Sequence, residues 1–265
     1  MTRDVRAAVF RPDDGRLAAA VELLESLGAT PVPDAMLAVE PTGATAREDA
    51  DYAILTSKTG VELVAETEWG GTRREEPNER AESEATRETD TTVCAIGEST
   101  ASALREAGYA VDLVPAEFSS AGLVDALEDD VDGARVEVAR SDHGSDVLTD
   151  GLEDAGAYVH ETVLYRLVRP PEAGVSAERA AEGELEAALF TSSLTVEHFL
   201  EAAAARGVRD DAVRGLNDAV VGCIGDPTAR TATRHGIDVD VVPEEASFDA
   251  LAAEVVEAAA PSRHE

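Results

Sequence analysis

The chain has 265 residues, 44% of them apolar, which is enough for the cores of two modest α/β domains and too many for a disordered polypeptide. It carries 55 acidic against 22 basic residues, a formal charge of −33, and Lys58 is its only lysine. This charge argues against nucleic acid as a partner, because no basic stripe exists to neutralise phosphates. No apolar run is long enough to span a membrane and the first residues lack a signal-peptide core, so we expect a cytoplasmic protein without membrane contact.

The acidic excess also predicts a salt-rich environment. Repulsion among carboxylates opposes compact folding in dilute buffer, whereas at molar salt the screening length falls to about 3 Å. An acidic protein from an ordinary cell is the alternative. Cys94 and Cys223 end apolar runs and are predicted to be buried thiols in a reducing compartment. The five histidines show no ligand spacing with each other or with the cysteines, so we predict no metal site.

Short apolar runs alternate with amphipathic stretches, which is the pattern of βαβ units around parallel sheets. In the first helix, for example, Leu17, Val21, Leu24 and Leu27 recur at helical spacing and Gly28 ends it. In chain order we predict strand 5–10, helix 15–27, strand 30–33, strand 51–55, helix 59–67, strand 92–96, helix 98–107, strand 110–114, helix 120–129, strand 134–139, helix 144–155, strand 157–161, strand 186–190, helix 192–206, strand 218–224, helix 225–235, strand 238–242 and helix 247–259.

Two kinds of segment interrupt this pattern. Residues 66–90 are strongly acidic. We interpret 70–90 as a solvated insertion, and a functional lid is the alternative. Trp69 is predicted to cap the preceding helix. Residues 36–41 and 162–170 are extended, alternate in polarity and end in proline. They are predicted to cross between lobes as a paired hinge ribbon.

An internal repeat predicts where the functional loops lie. Residues 53–62, AILTSKTGVE, match residues 188–197, ALFTSSLTVE, and residues 96–108, IGESTASALREAG, match residues 224–236, IGDPTARTATRHG. Two copies of one strand–loop–helix unit predict a bilobal protein with a ligand cleft between matching loops.

The first pair of matching loops places hydroxyl groups between a strand and a helix. Thr56 and Ser57 in one copy correspond to Thr191, Ser192 and Ser193 in the other. Hydroxyls at such positions cap helices, and the first-turn N–H groups form an anion site. Pure capping is the alternative.

The second pair of loops contains strand–glycine–helix turns. Glycine allows a ligand to approach the backbone closely, and proline suits a first helical turn. The turns match no nucleotide-binding fingerprint. The candidate binding residues are Gly97, Ser99 and Thr100, the corresponding Gly225, Pro227 and Thr228, and Ser119, which matches Ser247 in the repeat.

Three further residues have side chains that suit the binding of an anionic ligand or a catalytic role. Arg11 and Arg140 end the first strand of each half and could clamp a carboxylate, although ion pairs with neighbouring aspartates are the alternative. Tyr165 lies in the second crossing segment, where its phenol could lie at the floor of the cleft or simply pack the hinge.

Taken together, the motifs ILTSKTGVELV, AIGESTASALREAG, VPAEFSSAGL, VARSDHGSDVLTDGLEDAGAYVHETVLYRL, LFTSSLTVEHF and CIGDPTARTATRHG resemble the uroporphyrinogen-III synthase family, in order and over nearly the whole chain. Each motif alone is weak, and the acidic insertion and Lys58 depart from the family pattern. The resemblance implies two flavodoxin-like lobes, residues 1–36 with 167–265 and residues 41–163, joined by a β-ribbon hinge at 37–40 and 164–166.

The resemblance also implies a reaction, namely the cofactor-free cyclisation of hydroxymethylbilane to uroporphyrinogen III with inversion of ring D. We expect the protein to be a monomer. Tyr165 matches the family's tyrosine in that segment and is the candidate to assist loss of hydroxide. A small-anion binding or regulatory protein and a sugar-phosphate isomerase-like domain are the alternatives. The formation of type III rather than type I product separates them from the enzyme.

Overall fold

The computed structural model describes residues 5–12, 15–67, 69–70 and 91–260, so most of the predicted acidic insertion lies outside the described residues. The chain divides into two compact units, unit 1 (residues 1–39 and 168–265) and unit 2 (residues 40–167). The elements are β1 (Arg6–Phe10), α1 (Gly15–Ser26), β2 (Thr30–Pro33), β3 (Ala38–Pro41), β4 (Tyr52–Leu55), α2 (Lys58–Glu66), β5 (Thr92–Ala95), α3 (Glu98–Glu106), α4 (Ser120–Leu127), β6 (Arg135–Ser141), α5 (Asp146–Asp154), β7 (Tyr158–Val168), α6 (Val175–Ala181), β8 (Ala187–Phe190), α7 (Ser193–Ala205), α8 (Arg209–Asn217), β9 (Val220–Cys223), α9 (Asp226–Arg234) and α10 (Phe248–Ala259).

Each unit is built around one sheet. Unit 1 has the strand order β2-β1-β8-β9, and the sheet of unit 2 has the order β3-β7-β6-β4-β5. The pairs β1–β2, β1–β8 and β8–β9 are parallel, as are β6–β7, β4–β6 and β4–β5. The prediction of an α/β fold with parallel sheets is confirmed. The carboxyl ends of parallel strands meet at one edge, which is where ligands bind in such folds.

The core of unit 1 covers both faces of its sheet. Successive residues of β1 point to opposite faces, so Phe10 joins one buried cluster and Val9 joins the other. On the first face the Phe10 ring stacks on Phe190 with centroids 4.6 Å apart, and Phe199 packs edge-on at 5.4 Å from Phe10. These rings fix the end of β1 beside the end of β8.

Unit 2 is packed in the same way. Ile54 and Leu55 of β4 belong to clusters on opposite faces of the sheet. The cluster around Leu55 also contains Trp69 and Tyr109, whose rings lie 5.4 Å apart. Trp69 follows α2, and its backbone N–H donates to Val64 O at 3.2 Å, near the C-terminal end of that helix.

Two predicted strands, 110–114 and 238–242, are wrong in extent, because each is reduced to a single bridge, through Leu113 and Val241. A side chain explains both. The carboxylate of Asp112 accepts the backbone N–H of Val93 at 2.8 Å, and that of Asp240 accepts the N–H of Val221 at the same distance. A ladder cannot extend through an N–H that an aspartate already occupies.

Helices α6 and α8 were not predicted. The start of α6 is held by Asp34, whose buried carboxylate accepts the N–H of Gly174 at 2.9 Å and the N–H of Ser176 at 2.8 Å. The Ser176 hydroxyl donates to the same carboxylate. Gly215 of α8 then packs against α6 so closely that an added Cβ would lie 1.7 Å from Ala180 O. Both features depend on partners distant in sequence.

The predicted crossing segments contain β3 and the second half of β7, which are neighbours in the sheet. Thr42 follows β3, and its N–H donates to Leu164 O at 3.0 Å. The predicted lobe boundaries and the hinge function of this pair stay predictions.

Candidate active site at the carboxyl edge of each sheet

Tyr165 is positioned by an irregularity in the pairing of β6 and β7. Arg140 pairs with Val163, whereas Ser141 pairs with Tyr165, so β7 accommodates one extra residue. A bulge of this kind re-aims side chains. As a result Leu164 and Tyr165 both join one core cluster, and Tyr165 is only 6% exposed. We predicted that this phenol lies at the floor of a cleft or packs the hinge. The structure buries the side chain beside Ser57, and its role in the site stays a prediction.

The Tyr165 hydroxyl donates to Ser57 Oγ at 2.9 Å. Ser57 is the N-cap of α2, and its Oγ also accepts the N–H of Gly60 at 3.0 Å. A serine hydroxyl has two acceptor lone pairs and one donor hydrogen. Both lone pairs are used here, and the residues that the structure describes supply no acceptor for the hydrogen. Half-buried Ser57 can therefore donate that hydrogen to a ligand.

Gly60 keeps this arrangement compact. A Cβ at position 60 would lie 3.2 Å from Ser57 Oγ and 3.6 Å from Leu164 Cδ1. The first distance is shorter than an ordinary van der Waals contact, so a side chain there would push the Ser57 hydroxyl from its place. Thr56, half-buried, precedes Ser57 directly after β4.

Arg140 does not present its guanidinium to solvent. It is 4% exposed, pairs with Glu161 and donates from Nη1 to Ser145 O at 2.6 Å. Gly144 packs on it, since an added Cβ there would lie 2.3 Å from Arg140 Cδ. We predicted a carboxylate clamp or an ion pair with a nearby aspartate. The structure has an ion pair, but with a glutamate across the strand pair, because β7 lies beside β6.

The corresponding loops of unit 1 are more fully bonded. Thr191 Oγ1 donates to Phe10 O at 2.7 Å, which ties the end of β8 to the end of β1. Ser192 caps α7 in a reciprocal capping box with Thr195, and Ser193 Oγ donates to Pro227 O at 3.2 Å. For Ser192 the capping alternative accounts for the hydroxyl contact, whereas the Thr191 hydroxyl joins two strand ends and caps no helix.

Arg11 follows β1 in unit 1. Its guanidinium carbon lies 4.6 Å from the centre of the Phe248 ring, a cation–π contact. This contact holds the side chain near the start of α10, and its predicted role as a clamp stays a prediction.

Helices α3 and α9 differ from the others near these edges in the way they begin. Their N-caps are Gly97 and Gly225, which have no side chain to accept a first-turn N–H, whereas α2, α4, α7 and α10 are capped by serines. The φ angles of Gly97 and Gly225 are −170° and −176°, extended values that any residue adopts. Backbone strain therefore does not require glycine here.

The space around the two glycines differs. A Cβ on Gly225 would meet only Pro227 Cδ, at 3.9 Å, so this turn is open. A Cβ on Gly97 would lie 3.3 Å from Phe118 Cβ. Both turns leave first-turn N–H groups for an anion, although each also has an acidic residue, Glu98 or Asp226, in its first turn. Glu98 is drawn toward Arg105, 2.6 Å away.

The remaining predicted residues separate by burial. Thr100 and Thr228 are each 4% exposed and point into their units, whereas Ser99 and Pro227 are exposed. Ser119 caps α4 by accepting the N–H of Gly122 at 3.0 Å, and it donates to Glu117 Oε1 at 2.9 Å. Its hydroxyl hydrogen is already used.

The two cysteines are fully buried, as predicted. Burial raises the pKa of Cys94 to about 12 and that of Cys223 to about 12. These thiols are therefore unreactive near neutral pH. Across the described part of the chain, no group of three or more His, Cys, Asp or Glu side chains is placed to hold a metal ion, and no helix there has the length and apolar character to cross a membrane.

Several site residues were missed from the sequence. Gly60 and Glu161 matter through contacts with Ser57 and Arg140 that only the fold creates. Phe118 could have been noticed, because a phenylalanine next to a predicted N-cap serine, in the stretch VPAEFSSAGL, is unusual for a solvated turn.

The fold and the site together define a class, namely a two-sheet α/β protein with hydroxyl groups and unpaired helix amides at the carboxyl edges. The family described as uroporphyrinogen-III synthase HemD matches residues 18–253. The putative uroporphyrinogen-III synthase of Methanothermobacter thermautotrophicus is 32% identical over 250 residues, which cover 89% of this chain and 92% of that protein. The uroporphyrinogen-III synthase of Synechococcus elongatus is 28% identical and covers 77% and 73% of the two chains.

Among solved structures, a mutant uroporphyrinogen III synthase from Thermus thermophilus superposes with a TM-score of 0.62 at 20% identity, covering 96% of this chain and 98% of that one. That likeness supports the fold. The chain belongs to the uroporphyrinogen-III synthase family.

Proposed function

We propose that this protein is a uroporphyrinogen-III synthase that closes hydroxymethylbilane to uroporphyrinogen III with inversion of ring D and release of water. Family membership supports the reaction class. The observation that carries the proposal is the hydrogen bond from Tyr165 to Ser57, which leaves the Ser57 hydrogen to be donated at the carboxyl edge of unit 2.

This geometry suits the first step of the reaction, the departure of the terminal hydroxyl group. The carbon–oxygen bond breaks, and a proton delivered to the oxygen lets it leave as water. Ser57 donates that proton and is supplied in turn by Tyr165, whose hydroxyl donates to Ser57 Oγ. The carbon that lost the hydroxyl group forms a new carbon–carbon bond, and inversion of ring D breaks and remakes one bond that joins this ring to the chain. The proton finally released from a pyrrole carbon returns through Ser57 to the Tyr165 oxygen, so the balance is restored.

Substrate binding fits the glycine-capped helices. The substrate carries several carboxylates, and within each unit the open N–H groups at the start of one glycine-capped helix, α3 or α9, suit a carboxylate without a cationic side chain. Gly97 and Gly225 leave those amides accessible. In a protein with 55 acidic against 22 basic residues, amide-based sites supply local attraction for an anion.

Control of the product is a matter of conformation. Hydroxymethylbilane closes without an enzyme to the unrotated type I isomer, so the protein must both accelerate hydroxyl loss and hold the chain in the fold that inverts ring D. Because the product is set by the conformation of the bound chain, the chemistry requires only one assisted proton donor for the loss of the hydroxyl group. We also propose that the enzyme acts in the cytoplasm as a monomer without a cofactor.

The test is the isomer composition of the product. The purified protein in molar potassium chloride is mixed with fresh hydroxymethylbilane, and the oxidised products are separated into type I and type III isomers. An excess of type III over a protein-free control is expected. Type I alone would contradict the proposal and favour the small-anion binding protein, which would bind the bilane without changing its product.

A further inference from the structure

Phe118 is exposed, whereas the other phenylalanines of the chain are buried or partly buried. The chain has five phenylalanines. Phe10, Phe190 and Phe199 are fully buried, and Phe248 is partly buried beneath Arg11, whereas Phe118 is 65% exposed. Burying a phenylalanine stabilises a protein by about 1.5–3 kcal/mol, so an exposed ring gives up stability that the fold could otherwise gain.

The position of Phe118 links it to the candidate site. It immediately precedes Ser119, the N-cap of α4, and its Cβ and Cγ would lie 3.3 Å and 3.4 Å from a Cβ on Gly97. Phe118 can pack this closely against position 97 because Gly97 has no side chain. The aromatic side chain stands beside the first turn of α3, where no side chain caps the helix.

The fold alone does not require this ring. The repeat that aligns Gly97 with Gly225 and Ser119 with Ser247 aligns Phe118 with Ala246. At that equivalent turn of unit 1 the glycine faces open space. The same strand–turn–helix unit thus forms with alanine at the position of Phe118. In unit 1 a phenylalanine comes two residues later, at Phe248, where the ring is partly buried and contacts Arg11, so the exposed ring before the N-cap serine is particular to the unit that contains the Tyr165–Ser57 pair.

We propose that Phe118 is a substrate-positioning residue, whose ring packs against a pyrrole ring of the linear tetrapyrrole while carboxylates of that pyrrole bind the first-turn amides of α3. This inference rests on the proposed function and specifies how its substrate is held. A pyrrole offers a flat apolar face with acidic substituents at its rim. An aromatic ring beside unpaired N–H groups complements both parts, since aromatic pairs favour offset or edge-on packing.

The experiment compares Phe118→Ala and Phe118→Leu with Tyr158→Ala. Tyr158 is the matched control, because it is an aromatic residue of unit 2 that is 71% exposed but begins β7, at the opposite end of the strand from Tyr165. Melting temperature, KM and kcat for hydroxymethylbilane and the isomer ratio are measured for each variant. Phe118→Ala should raise KM about tenfold with kcat changed less than about threefold and the melting temperature unchanged.

Phe118→Leu keeps part of the apolar area but not the ring, so its KM should lie between the KM of the wild type and that of Phe118→Ala. Tyr158→Ala should leave all values unchanged. An unchanged KM for Phe118→Ala, or a loss confined to kcat or to thermal stability, overturns the positioning role while type III product from the wild type keeps the proposed function. If the wild type forms only type I product, the proposed function itself is wrong, whatever the variants do.

Discussion

Replacing Tyr165 with phenylalanine removes one oxygen and keeps the packing of the ring. Ser57 then keeps the Gly60 N–H as a donor but loses the phenol at 2.9 Å, so its hydroxyl is less well oriented and less acidic. A neutral hydrogen bond contributes about 0.5–1.5 kcal/mol, which corresponds to about twofold to tenfold in rate if it is fully expressed in the transition state. A direct proton donor contributes about 10²–10⁴-fold. The buried phenol predicts an effect near tenfold, with more type I product.

Ser57→Ala should cost more than Tyr165→Phe, about a hundredfold, because it removes the donor itself. The double variant should be no slower than Ser57→Ala, since the two residues act as one unit. Tyr109→Phe is the matched control: its buried hydroxyl, in the same cluster, donates to Trp69 O at 3.2 Å. Each tyrosine variant should melt about 2–4 °C lower, but only Tyr165→Phe should lose activity. Equal rates for Tyr165→Phe and the wild type, or additive losses in the double variant, would refute the assisted-donor mechanism.

Four further predictions test the remaining features. The thermal midpoint should rise steeply from dilute to molar potassium chloride, and a flat response would contradict adaptation to salt. Gly225→Ala should keep its stability, because the added methyl would have no contact closer than 3.9 Å, yet it should raise KM if a carboxylate binds there; an unchanged KM removes this turn from the site. Asp34→Ala should lower the free energy of unfolding by about 2–3 kcal/mol in denaturant titrations, because buried N–H groups at the start of α6 lose their acceptor; a loss below about 0.5 kcal/mol would show that the cap is dispensable. Cys94 and Cys223, with pKa values raised to about 12, should react with a thiol reagent near neutral pH only after unfolding, and fast reaction of the native protein would show that they are accessible.

Local signals in the sequence were sufficient to predict most of the fold. Strand runs, helical spacing and the repeated Thr-Ser and Ile-Gly turns placed β4, α2, β5 and α3, with their counterparts β8, α7, β9 and α9, within a few residues. Helix α6 was missed because Asp34, which accepts the N–H groups at the start of this helix, lies far away in sequence. Hydrophobic periodicity carries no information on such a partner.

The site was harder to predict than the fold. The sequence identified Tyr165 and Ser57 separately, but their contact depends on one extra residue in the β6–β7 pairing, which no pattern in the chain indicates. Arg140 was correctly placed at the end of a strand, yet its partner Glu161 comes from the neighbouring strand. Contacts of this kind are decided by register, and register becomes visible only once the sheet is assembled.

The strand order of unit 1 has a consequence for synthesis on the ribosome. Strand β1 pairs with β2 on one side and with β8 on the other. Ala7 therefore cannot pair with Ala187 until the ribosome has synthesised β8. At typical rates of translation this delay is on the order of ten seconds or more. Residues 40–167 form a continuous unit that can fold meanwhile. Strand β1, with its apolar Ala-Ala-Val-Phe sequence, therefore keeps the edge that later meets β8 unpaired during elongation, a period in which chaperones or strongly charged neighbours would protect it from aggregation.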